Sequence, residues 1–109
     1  MEEKYDLKGI TVDRFKDLIR DVWKESKESG EIKKIAEEKG LNYSEIEPLE
    51  ANDVLEIKQE GVGLDPALTA IIVSFAPVLA EIAEDIWKYV LLPKIKRKEG
   101  DDVLTLKGN

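Results

Sequence analysis

The side chains best placed for chemistry in this chain are carboxylates. Glu81, Glu84 and Asp85 fall at i, i+3 and i+4, which gathers three acids on one helix face, where they could hold a hard cation or share a proton. Wet helix surfaces carry the same spacing routinely, and Lys88 stands four residues after Glu84, placed to neutralise it. Asp101 and Asp102 follow Gly100 without the other ligands of a calcium loop. Gly61-Val62-Gly63 lies between an expected strand and an expected helix start, the context of a dinucleotide-binding turn. Pro66 replaces the third glycine, and Asp65 puts negative charge where a phosphate would sit, so the segment reads as a linker. Cysteine and histidine are both absent. Their absence removes thiolate nucleophiles, disulfides, imidazole bases and metal sites of the Cys/His kind. The chain is therefore read as a non-enzyme, with no catalytic residue, cofactor or metal expected.

Two constellations bear on binding. Lys94, Lys96, Arg97 and Lys98 form a basic run; residues 94–109 carry 5 basic and 3 acidic side chains, against 12 and 21 in residues 1–93. Such asymmetry can steer a partner or touch an anionic surface, and it also suits a plain helix C-terminus. Ala36, Gly40 and Ile46 are similar in spacing to the turn of DNA-binding helix-turn-helix units. The segment that would read the groove holds Glu45, Glu47 and Glu50 and is cut by Pro48, so carboxylates would face phosphates. With a net charge of −7, nucleic acid is disfavoured as a partner. The corner reads as a packing element.

The elements that must position these groups follow from periodicity. At 109 residues, 42% apolar and 38% charged, the chain has room for a single domain over 1–109, with 94–109 as a basic, then acidic, tail. Thr11 caps an amphipathic helix over 12–28, whose stripe is Val12, Phe15, Leu18, Ile19, Val22 and Trp23. A shorter helix spans 31–39, closed by Gly40 with Leu41 packing back. Asn42 and Glu45 resemble a capping box that starts a turn of helix cut short by Pro48. Residues 4–10 read as a short strand or an extended arm and 53–58 as a strand, and DVLTLK at 102–107 echoes DVLEIK at 53–58, as if the two could pair.

Residues 66–80 carry no charge. With Asp65-Pro66 as a start signal, Pro77 as a kink and Leu92-Pro93 as a stop, the sequence predicts one long helix over about 66–92. The uncharged run is shorter than the roughly 20 residues a membrane span needs. The expected fold is α+β tending to all-α: this Pro-kinked apolar helix packed on two amphipathic helices, with two or three short strands and Trp23 and Trp87 in the core.

Such a helix is hard for a small chain to cover alone. The leading expectation is thus a protein–protein interaction or self-association module, a homodimer included, whose surface is Ile71, Ile72, Phe75, Val78, Leu79, Ile82, Ile86, Trp87 and Val90. The alternative is peripheral contact with a membrane surface, without spanning, through Trp87, Tyr89 and the basic run at 94–98. A helix-turn-helix-like nucleic-acid regulator ranks last. The N-terminus MEEKYDLKG lacks an apolar run, so cytoplasm is the expected location. One Met, one Gln (Gln59) and abundant Glu and Lys give a thermophile-like composition.

Overall fold

The structure is a computed structural model that describes residues 2–62 and 68–106. Four antiparallel strands form one sheet in the order β2-β3-β1-β4: β1 (Glu2–Lys8), β2 (Leu55–Val62), β3 (Leu68–Phe75) and β4 (Leu104–Leu106). Helices α1 (Val12–Glu28), α2 (Glu31–Glu38) and the short α3 (Ala51–Val54) fill the first half. After β3, a 3₁₀ turn (Pro77–Leu79) leads to α4 (Ala83–Ile86), which runs through a π-helical turn (Trp87–Leu91) into α5 (Leu92–Glu99).

The first half follows its periodicity. The Thr11 hydroxyl accepts from the Arg14 N–H and starts α1, which buries Phe15, Leu18, Ile19, Val22 and Trp23. Gly40 sits at φ 73° after α2, a conformation that favours glycine, and the Leu41 N–H returns to the Ala36 carbonyl at 2.8 Å. Asn42 caps a single 3₁₀ turn, Tyr43–Glu45, by accepting from Ser44 N–H.

The long helix over 66–92 does not form. Leu68–Phe75 is instead the strand β3, hydrogen-bonded to β2 on one side and β1 on the other. Thr69, Ile71, Ile72 and Val73 are β-branched, which favours a pleated surface. A short uncharged run suits a buried strand as well as a buried helix, and its periodicity cannot separate them. Pro77 opens the 3₁₀ turn instead of kinking a helix. Pro93 does not stop the chain either. The Leu92 N–H bonds back five residues to the Trp87 carbonyl, and this wide turn relieves the clash a proline makes with the preceding turn. The fold is therefore α+β with a full four-stranded sheet, not a helical domain with accessory strands. The expected Asp65-Pro66 start and Gly63 lie outside the described residues.

One face of the sheet meets the helices. Tyr5 and Leu7 from β1, Leu55 and Ile57 from β2, Ile71, Val73 and Phe75 from β3 and Leu104 from β4 are buried against α1 and the C-terminal helix. Trp23 and Trp87 share that core, as expected. The Trp87 Nε1–H donates to the Tyr5 hydroxyl at 2.8 Å, and their rings meet edge to face at 5.8 Å. The other face is charged, with Lys4 of β1 reaching Glu60 of β2 at 3.1 Å. The two similar hexamers enter the same sheet only in part, through Leu55–Lys58 and Leu104–Leu106, while Asp53 and Val54 end α3 instead of starting the expected strand. They are not partners either: β2 and β4 are its opposite edges.

Candidate functional site

The surface expected from the sequence is mostly interior. Ile71, Ile82, Ile86 and Trp87 are fully buried, and Phe75, Leu79 and Val90 are buried in the same core. Ile72 is half-buried on the open face of the sheet. The side chain of Val78 lies outside those described. Covering an aliphatic side chain stabilises by about 1.5–3 kcal/mol, and here the chain's own helices supply the cover.

The basic run is dispersed around α5. Lys94 is buried and meets Glu31 at 2.7 Å, a close charge contact without an aligned hydrogen bond. Lys98 pairs with Glu25 at 3.1 Å, and this hydrogen-bonded lysine holds the Glu25 carboxyl below its ordinary range. Lys96 is half-buried, and Arg97 is exposed. Residues 94–99 belong to α5, and Leu104–Leu106 is a sheet strand, so these parts of the expected tail belong to the body. Of the aromatic pair read as interfacial, Tyr89 is 71% exposed and Trp87 is buried.

The carboxylate triplet is partnered by lysines: Glu84 with Lys88 at 3.7 Å and Asp85 with Lys39 at 3.4 Å, while Glu81 is exposed. Among the described residues, no group of acids could hold a metal ion. The Ala36–Gly40–Ile46 corner is a packing turn, with Ala36 and Ile46 buried and one 3₁₀ turn where a recognition helix would stand. Tyr5 holds its phenolic proton tightly. Burial, followed by its hydrogen bond to Glu3, pushes that phenol well above its ordinary value, while the Trp87 donor pulls the other way. This group ties β1 to the core through Trp87.

The site with free valence is made of backbone. Among the described residues, β2 pairs only with β3, so its outer side is an open sheet edge. The Ala76 N–H donates to the Val54 carbonyl at 2.8 Å. Antiparallel ladders alternate, so Glu56 and Lys58 turn their backbone groups toward β3, whereas Leu55, Ile57 and Gln59 turn theirs outward. The Leu55 N–H is already taken by the Ala51 carbonyl at the end of α3. Among the described residues, what stays open is the N–H of Ile57 and Gln59 and the carbonyl of all three. A bulge after Gln59 ends the regular edge.

An open groove of about 660 Å³ runs between this edge and α1. Leu55, Ile57 and Ile19 contribute its apolar lining, and Asp13, Lys16, Asp17 and Arg20 form the α1 rim. A second hollow continues it along β2 past Lys58 and Gln59. The side chains of Glu56 and Lys58 are 65% and 62% exposed on the charged face and lie 3.9 Å apart. The sequence reading missed this site. The signal was present as alternation, Leu55 and Ile57 in, Glu56 and Lys58 out, but nothing in it says which strand is an edge. The chain matches no protein-family model, no curated protein and no solved structure.

Proposed function

We propose that the chain is a non-enzymatic protein–protein interaction module that takes an extended segment onto the free edge of β2. The observation that carries this reading is the open edge over Leu55–Gln59 beside the α1 groove. Unpaired strand backbone is a template for another strand, giving affinity through main-chain hydrogen bonds and selectivity through alternate side chains. The apolar helix once expected to recruit the partner is replaced by this edge. Membrane contact keeps less support, because Trp87 is interior and Lys94 and Lys98 are paired.

The test is selection of displayed short peptides on the folded chain, followed by amide chemical-shift mapping. Selected peptides should perturb Leu55–Gln59 and lose binding to Gln59→Pro. That substitution removes an outward donor from an exposed position and leaves the β3 ladder intact. Binders that map elsewhere, or that ignore Gln59→Pro, would overturn the reading.

A further inference from the structure

We infer that the strand taken up at this edge is β2 of a second copy of the chain, paired antiparallel with Ile57 opposite Ile57. This rests on the proposed strand-adding edge and goes further by naming its occupant. The edge is complementary to itself. A two-fold axis at Ile57 sets Leu55 against the partner's Gln59 and Glu56 against the partner's Lys58, each twice. Ile57 turns its N–H and carbonyl outward, so the central pair exchanges two hydrogen bonds. The Gln59 N–H of each copy then finds the Leu55 carbonyl of the other, giving about four backbone bonds across the junction.

Charge selects this register. Moving the axis one residue back sets Glu56 against Glu56, and moving it one forward sets Lys58 against Lys58 and Glu56 against Glu60. Like charges directly opposite each other disfavour pairing, whereas opposite charges support it. Glu56 and Lys58 are both well exposed and, among the described residues, held by a 3.9 Å contact with each other, which leaves them available to a partner. The helix beside the groove has the same property. Its rim runs Asp13, Lys16, Asp17, Arg20. Read in reverse, this order of acid and base is complementary to itself, with Asp17 and Arg20 already paired to each other within the helix. Two features of independent sequence are therefore self-complementary in one orientation.

The junction is short, so the dimer should be weak and concentration-dependent. Light scattering after size exclusion, carried into the millimolar regime, should show a monomer–dimer equilibrium for the wild-type chain. Glu56→Lys and Lys58→Glu should each weaken it about tenfold or more, since each puts like charges across both outer pairs. An equimolar mixture of those two variants should recover dimers, because a strand with lysine at both positions then faces one with glutamate at both. The double variant Glu56→Lys/Lys58→Glu should recover them alone. A wild-type chain that stays monomeric, or a mixture that fails to associate, would overturn the self-pairing. A dimer that persisted in Gln59→Pro would overturn it as well. The proposed edge would survive each of these results if selected peptides still bound Leu55–Gln59, and would fall if they mapped elsewhere.

Discussion

Replacing Ile71 and Ile72 one at a time by alanine tests the strand that displaced the expected helix. The two residues are adjacent in β3, so their side chains point to opposite faces of the sheet. Ile71 is fully buried against the helices, and Ile72 is half-buried on the charged face between Lys4 and Lys58. Truncating a buried Ile removes transfer free energy and leaves a cavity, together about 2–5 kcal/mol. Ile72 can lose at most the covered part of its surface and leaves no enclosed space, so its cost should stay near ~1 kcal/mol. A domain of this size is stable by about 5–15 kcal/mol. Ile71→Ala should therefore lower Tm by roughly 10–20 °C, and Ile72→Ala by a few degrees. Urea unfolding followed by the fluorescence of buried Trp23 and Trp87 gives both free energies on one probe. Equal losses at the two positions would refute the alternation, and with it the placement of β3.

Tyr5 supplies a pH dependence. Its folded-state value is raised above the ordinary 10.0, so its contribution to stability is complete below that pH and is lost as pH climbs beyond it. Tyr5→Phe should cost about 1–2 kcal/mol at neutral pH by unpairing Trp87 Nε1 and should flatten the alkaline fall, as read by urea midpoints from about pH 8 upward. At Lys94, methionine keeps the buried stem while Glu31 stays 45% exposed, so Lys94→Met should change stability by about 1 kcal/mol or less. Lys94→Glu buries an acid beside the half-exposed Glu31 carboxylate and should cost about 3 kcal/mol or more on the same assay. Gly40→Ala places a Cβ at φ 73° and should destabilise by about 1 kcal/mol, visible as a lower thermal midpoint.

Helices α1 and α2 were legible because their apolar residues recur at helical spacing and their ends carry Thr11 and Gly40. Strand β1 was legible from Tyr5 and Leu7 alternating with charge. The run through β3 was not, because Ala70 and Ile72 on its open face are as apolar as Ile71 and Val73 on its core face. Ile72 lies between Lys4 of β1 and Lys58 of β2, whose long stems can cover an apolar neighbour, and the alternation a strand normally shows is lost there. Pro93 misled for a different reason: whether proline ends a helix depends on the turn before it, and a π turn leaves no trace in residue types. The binding edge was least legible of all. Its working groups are backbone N–H and carbonyls common to every residue, and they become a site only when sheet order leaves β2 outermost. That order comes from tertiary packing, as the similar hexamers at opposite edges illustrate.

The central claim is that the edge of β2 is open in the single chain and closes on binding. Residue-resolved amide hydrogen exchange over Leu55–Gln59, in dilute and in concentrated protein, tests it most directly. In dilute protein, the Glu56 and Lys58 amides should exchange slowly, held by β3, while those of Ile57 and Gln59 exchange fast. At high concentration Ile57 and Gln59 should become protected and the rest of the sheet should not change. Protection of Ile57 already complete in dilute protein, or no gain at any concentration or with any selected peptide, would contradict the account.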